Sequence, residues 1–249
     1  MHLKSIWIYP IKSFNGIEVS ASQLRENGSL YFDREFAFRL DSGKLLTAKR
    51  NATIHLHPIQ YISLEKGFYI PKNGQHYSWA EKTGISRFFS EALNTPLTLE
   101  QEIKQGFPDD LIFDGPTLVS LATLKTVADC FHWSLKECIM RFRPNLIVDG
   151  LRPFEEDELV ELKFHLNGHE ISFLNPCNRC IVPSRNPING LPTTDFKTSF
   201  QVLRKRRTSE AVSSDWIHFY KLGINTQIKR GNDKGIKTGN DLIGLNSSH

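Results

Sequence analysis

The apolar residues of this chain come in short runs that alternate with polar ones and stop at Pro, Gly or Asn. "LKSIWIYPI" (3–11), "REFAFRLD" (34–41), "IHLHPIQYISLE" (54–65) and "GFYIP" (67–71) follow this pattern. "PNLIVDG" (144–150), "ELVELKFHLNGHEISFLNP" (158–176) and "CIVPS" (180–184) repeat it further on, and the tail over 217–245 gives short runs separated by Gly-Asn turns. Successive side chains of a strand point to opposite faces, so such alternation marks half-buried strands, and the punctuating residues mark turns. "DSGK" (41–44) reads as a hairpin turn. The pattern restricts the chain to a β-rich architecture.

Three stretches break the alternation. Residues 82–95 ("KTGISRFFSEALNT") place Phe88, Phe89 and Leu93 at helical spacing. Residues 120–133 form an amphipathic helix opened by Ser120, with Leu121, Leu124, Val127 and Ala128 on one face. A second short helix is expected over 134–141. Between these, "QGFPDDLIFDGPT" (105–117) gathers Pro, Gly and acid, which marks a linker. The expected organisation is a smaller N-terminal β-rich domain over 1–105 and a second domain over 106–249, of α+β, β-rich class. A β-barrel-like unit with a few peripheral helices is the simplest form of it.

The chain has 249 residues, enough to bury a sizeable core. A net charge of +4 fits an anionic small ligand and is too weak to argue for nucleic acid. No apolar run reaches the roughly 20 residues of a membrane span, and the opening "MHLKSIWIYPIKSF" is broken by Pro10 and has no cleavage site of small residues. A cytoplasmic protein without membrane or nucleic-acid partners is expected. Four cysteines suit a reducing compartment rather than a disulfide framework.

Two of those cysteines sit in "NPCNRCIVPSRNPING", as Cys177 and Cys180. A structural zinc needs four ligands, but Cys130 and Cys138 are not spaced as a knuckle and no histidines cluster with them. A redox dithiol normally opens a helix after a strand, whereas "IVPSRNP" reads as extended or looped. A buried structural pair is the plain alternative. The remaining reading needs one thiolate, bound to a metal within a cofactor, with the neighbouring Arg179 lowering the thiol pKa and favouring an anion.

Other residues speak to that reading. Lys12 and Ser13 in "YPIKSFNG" offer a charge and a hydroxyl at a strand end, a pairing that suits a phosphate oxygen. Asp33 and Arg34 open a strand in "YFDREFAF". In "MRFRPNLIVDG", Arg141 and Arg143 alternate with Phe142, so both are expected on one face of an extended segment that turns at Pro144 before Asn145. "PFEEDEL" (153–159) reads as a solvated acidic turn or helix start. His55 and His57 share one face of an expected strand but lack a third ligand. "RKRR" (204–207) reads as a solvated face with one or two arginines turned inward.

Taken in order, "YPIKS", "DR.F", "FRPN…VDG..PFEED", "PC.RC.V" and the closing Gly-rich tail resemble the MOSC family, the molybdenum cofactor sulfurase C-terminal domain preceded by its N-terminal β-barrel domain. The resemblance spans nearly the whole chain and is similar to the amidoxime-reducing members, mitochondrial and bacterial. It implies a MOSC-type β-barrel domain with peripheral helices, a cofactor cleft between the two domains, and molybdenum cofactor (molybdopterin with Mo) as the ligand. It implies Cys180 as metal ligand, contacts to the cofactor from Lys12, Ser13, Arg34, Arg143, Asn145, Asn178 and Arg179, and Asp114 near the metal. The implied reaction is reduction of N-hydroxylated compounds such as amidoximes and hydroxylamines. No cluster-binding cysteine run follows the MOSC-like region, so the resemblance implies a separate electron donor of ferredoxin or flavin reductase type. A molybdenum cofactor or sulfur carrier without turnover, and a non-enzymatic protein whose CxxC is structural, are the competing readings.

Overall fold

The computed structural model describes residues 1–109, 112–113 and 115–245. In chain order its strands and helices are β1 (His2–Ile8), β2 (Ile17–Val19), β3 (Ala21–Ser22), β4 (Phe36–Leu40), β5 (Gln60–Ser63), β6 (Gly67–Ile70), β7 (Gln75–Tyr77), α1 (Lys82–Ala92), β8 (Leu97–Gln101), β9 (Thr117–Ser120), α2 (Leu121–Cys130), α3 (Leu135–Phe142), β10 (Leu146–Asp149), β11 (Lys163–Leu166), β12 (His169–Asn178), α4 (Phe196–Arg207), α5 (Glu210–Ser213), β13 (Lys221–Lys229), β14 (Ile236–Lys237) and β15 (Leu242–Gly244). The α+β, β-rich class holds.

Eight strands form the main sheet in the order β15-β11-β12-β13-β9-β10-β1-β2. All its pairs are antiparallel except β9 with β10, which run parallel and are joined through α2 and α3. A parallel pair needs such a crossover, because a tight turn cannot return the chain in the same direction. The first strand of the chain therefore lies inside this sheet, with Ile6 opposite Leu146 on one side and Val19 on the other. The strand ladders do not close into a ring among the described residues. The segment leading into β15 nonetheless bonds to β1: Leu3 N–H donates to the Asn240 carbonyl at 2.8 Å, and Gly239 N–H to the Leu3 carbonyl at 2.7 Å. The sheet is thus curled so that the approach to β15 lies against β1.

Both faces of the central strands are buried, as alternate residues show. Leu118, Leu146, Val148, Phe173 and Ile224 join one core cluster. Their neighbours Val119 and Ile147 join another, under α2, α3 and α4, with Leu124, Phe142, Phe200 and Leu222. A smaller unit, built from β4 paired with β8, the β5-β6-β7 meander and α1, has its own aromatic core. There Phe36 stacks on Trp79 at 4.2 Å between centroids, and Phe14 meets Phe89 edge-on at 4.9 Å.

The helix starts follow their caps. Ser120 accepts from Thr123 N–H at the start of α2, and Ser134 from Glu137 N–H at the start of α3. The expected extended segment at 141–143 is instead the end of α3. Arg143 closes the helix in the left-handed region, at φ 52°, and Pro144 disfavours helical backbone at the residue before it. Arg141 and Arg143 therefore do not share a strand face. His55 lies in a short 3₁₀ turn, Ala52–Leu56, and His57 is its C-cap, so neither is on a strand. "PFEEDEL" is not solvated throughout, since Glu156 and Asp157 are 1% and 4% exposed. "RKRR" ends α4, with Arg204 fully buried and the next three basic residues exposed.

Candidate functional site

A cleft of about 400 Å³ opens between the main sheet and the smaller unit, a size suited to a small molecule or cofactor. One wall is the end of β12 and the residues after it, including Asn178, Arg179 and Cys180. The facing wall carries Ser13, Asp33 and Arg34, and the end of α3 supplies Arg143. Seven of the predicted cofactor and metal contacts, Ser13, Arg34, Arg143, Asn145, Asn178, Arg179 and Cys180, line this cleft. They come from four separate parts of the chain. Lys12 does not line it. Its buried ammonium pairs with Asp109 and donates to the carbonyls of Phe107 and Pro108 at 3.0 Å each, so it holds in place the segment whose Pro108 and Asp109 do line it. Asp114 lies outside the described residues.

The lining groups divide by how much of their bonding capacity is already used. Asn145 is buried and fully engaged. Its amide donates to the Trp7 carbonyl at 3.0 Å, and its oxygen accepts from Thr117 N–H at 3.2 Å and from Arg34 at 3.4 Å. It stitches β1, β9 and β10 at the cleft floor. Arg179 is also turned inward, donating from Nε to the Leu222 carbonyl at 2.9 Å and from Nη1 to the Phe142 carbonyl at 3.0 Å. That second bond caps the free carbonyl end of α3. Among the described residues, Ser13 and Asn178 make no side-chain bond.

The cationic side is held by an aromatic residue that pattern reading passes over. Tyr9 is buried, and its hydroxyl donates to the Pro144 carbonyl at 3.1 Å. The guanidinium carbons of Arg143 and Arg34 lie 4.3 and 5.5 Å from its ring centroid, within cation–π range. Arg34 pairs with Asp33. Burial works against its charge, but Asp33 and Asp109 outweigh burial and hold its pKa above the ordinary value. Arg143 is different. Its guanidinium donates to the Phe14 carbonyl, and among the described residues no carboxylate lies within ion-pair distance of it. Burial, with Arg34 adding to it, pulls its pKa below the ordinary guanidinium value. Burial likewise lowers that of Lys12, against the opposing pull of Asp109.

Cys180 is exposed at the cleft, and Cys177, also on its wall, is half-buried with its Sγ 3.7 Å from the Asn178 carbonyl. All four cysteines are free thiols. Among the described residues there is no group of three or more His, Cys, Asp or Glu side chains arranged to hold a metal ion by themselves. A metal at Cys180 would therefore need the rest of its ligands from a cofactor. An exposed soft sulfur donor and a half-buried guanidinium with no carboxylate in ion-pair distance among the described residues line one cleft, and this donor set fits an anionic, metal-bearing group.

Comparison with known proteins agrees with this geometry. The MOSC N-terminal beta barrel domain matches residues 1–75 and the MOSC domain matches residues 117–219. The chain is a MOSC-domain protein. It is 25% identical over 233 residues to the molybdenum cofactor sulfurase of Oryza sativa subsp. japonica and 26% over 235 residues to that of Arabidopsis thaliana. In both comparisons 72% of the MOSC chain is aligned, and it spans 28% of the sulfurase's length. It is 24% identical over 251 residues to human mitochondrial amidoxime reducing component 2, covering 81% of the MOSC chain and 71% of that protein. Among the described residues no helix is long and apolar enough to cross a membrane.

Proposed function

We propose that the MOSC chain binds molybdenum cofactor in this cleft and reduces N-hydroxylated compounds such as amidoximes and hydroxylamines. One observation carries the reading: an exposed thiol, Cys180, and a half-buried guanidinium without a carboxylate in ion-pair distance among the described residues, Arg143, line the same cleft. A buried charge is costly unless it is paired, and an anionic ligand would offset that cost. The Cys180 thiolate is the soft donor for the metal. Arg143, Arg34, Ser13 and Asn178 are placed to take phosphate oxygens and the polar edge of a heterocycle. Asn145 and Arg179 act on the protein side. The first holds the floor strands together, and the second fixes the Cys180 segment to the end of α3. Lys12 holds the 107–109 segment against the cleft.

When bound, the cofactor would take the oxygen atom from the N-hydroxyl group and give up two electrons, the step that no side chain performs alone. The chain's own contribution is binding, orientation and electrostatic preorganisation. The electrons come from a separate donor of ferredoxin or flavin reductase type. The similarity to human amidoxime reducing component 2, which extends over most of both chains, supports the reductase reading. The similarity to plant molybdenum cofactor sulfurases supports a second one, in which the chain carries the cofactor or its sulfur without turnover.

Molybdenum per chain, measured on protein from a host that makes the cofactor, tests the first premise. The expected result is near-stoichiometric metal in the wild type and in Cys177→Ala, and loss in Cys180→Ala. Turnover of benzamidoxime with dithionite-reduced viologen dye then separates the two readings. A loaded protein without turnover is the carrier.

A further inference from the structure

Cys180 lines two cavities. The second, of about 410 Å³, is formed by the segment after Cys180, the first turn of α4 and Tyr220, and Arg143 does not line it. No residue of this cavity other than Arg179 and Cys180 figures among the candidate site residues above.

Three features there point to a ligand. Tyr220 is 4% exposed, and its hydroxyl has no hydrogen-bond partner among the described residues. A buried phenol normally finds one. The first turn of α4 opens into the same cavity. Asp195 occupies the N-cap position but makes no side-chain cap bond, and the N–H groups of Lys197 and Thr198 have no partner among the described residues. Free N–H groups at a helix start favour an anion. Lys197 also lines the cavity, with its ammonium 5.6 Å from the centroid of the Tyr220 ring. The lining contains one acid, Asp195, whose side chain is exposed, against two cations. Of these, Arg179 is already engaged with carbonyls, whereas Lys197 has no carboxylate or carbonyl partner among the described residues.

We propose that this second cavity is a substrate subsite for a carboxylate, which takes hydrogen bonds from the Tyr220 hydroxyl and the first turn of α4 and the charge of Lys197. It rests on the reductase reading for the identity of the substrate, and the carboxylate site itself does not. A carboxylate seated there lies beside Cys180, which the cavity shares with the cationic cleft. The substrate class becomes N-hydroxylated compounds that also carry a carboxylate.

Two measurements on the purified, cofactor-loaded protein test this. In the first, benzoate is the probe and binding is followed by calorimetry. Benzoate is expected to bind the wild type, to weaken roughly tenfold in Lys197→Ala and several-fold in Tyr220→Phe, as for lost charged and neutral hydrogen bonds. It should be unaffected in Lys205→Ala, which alters the exposed side of the same helix. In the second, KM for 4-carboxybenzamidoxime is compared with that for benzamidoxime. A lower KM for the carboxylate compound, lost in Lys197→Ala, is the expected result. Absence of benzoate binding, or binding indifferent to both cavity variants, overturns the subsite even if amidoximes are reduced. The predicted binding pattern in a protein that turns over neither compound sustains the subsite while the reductase reading fails.

Discussion

The guanidinium of Arg143 lies over the ring of Tyr9, 4.3 Å from its centroid, and the same ring faces Arg34. A single buried aromatic thus keeps two cations at one cleft without either meeting the other. The ring's negative face attracts both, and the bond from its hydroxyl to the Pro144 carbonyl fixes its plane. Burial raises the Tyr9 pKa despite the two arginines, so the residue remains a neutral phenol. The cleft keeps its positive character because no proton leaves Tyr9 to cancel it.

Arg143→Met is therefore expected to separate binding from stability. The substitution removes a half-buried charge with no carboxylate in ion-pair distance among the described residues and keeps most of the side-chain volume, while it gives up the contacts to Tyr9 and the Phe14 carbonyl, so the cofactor-free protein should stay within about 1 kcal/mol of the wild type. Molybdenum retained per chain should fall at least tenfold, on the order of a lost charge-assisted contact. Arg143→Lys should rescue retention poorly, since a point charge does not reproduce the planar fork. Thermal melts of the cofactor-free proteins, beside elemental analysis of loaded ones, read both effects.

Glu156 sets a pH dependence. It is buried, accepts from the Thr123 hydroxyl at 2.9 Å and from Ser120 N–H at 3.3 Å, and burial followed by the proximity of Asp157 raises its pKa to about 7 from 4.5. An acid with a raised folded-state pKa binds its proton more tightly when folded. Its contribution is fully present below about pH 4.5 and is lost as pH rises through about 7. At about 1.4 kcal/mol per pKa step, the wild type should lose about 2–3 kcal/mol between about pH 5 and pH 8. Glu156→Gln should remove most of this slope in urea titrations at the two pH values. An unchanged slope would assign it elsewhere.

The helix starts are legible in the chain because their cause is local: Ser120 and Ser134 each stand one residue before an amphipathic stretch and cap it. The place of β1 inside the main sheet is not, because the pairing of Ile6 with Leu146 joins residues far apart in sequence, and alternation says only that a strand has a buried face. Arg141 and Arg143 look alternating because three residues fit a period of two as easily as the end of a helix. Pro144 is the signal that favours a helix end there. The acidic run at 155–158 looks solvated because its partners, Thr123 and Arg204, sit on other elements. Of the site, Arg34, Arg143 and Cys180 are legible through the resemblance to MOSC proteins. Tyr9 and Tyr220 are not, since an isolated tyrosine in an apolar run reads as core.

The thiols should differ in reactivity. Cys138 is fully buried, and burial pushes its pKa up to about 12, whereas Cys130 and Cys180 are exposed. Alkylation of the native cofactor-free protein by iodoacetamide, mapped by mass spectrometry, should modify Cys130 and Cys180 and leave Cys138 untouched until denaturant is added. In loaded protein, Cys180 alone among the exposed pair should become protected. Protection of neither would separate Cys180 from the metal.

Arg204 and Asp157 form a buried pair at 2.6 Å, 1% and 2% exposed at their side chains, between the end of α4 and the 3₁₀ turn after β10. Arg204 also donates to the Lys221 carbonyl at 2.9 Å and lies over Phe154, 4.6 Å from its centroid. Removing either partner leaves a charge without water or counter-ion, so Asp157→Asn and Arg204→Met should each cost about 3–5 kcal/mol. The double variant should recover part of that loss, because neither charge is then stranded. A denaturant-unfolding cycle on the four proteins measures the coupling. Strict additivity of the two single losses would mean that Arg204 stabilises the fold through its carbonyl and aromatic contacts alone.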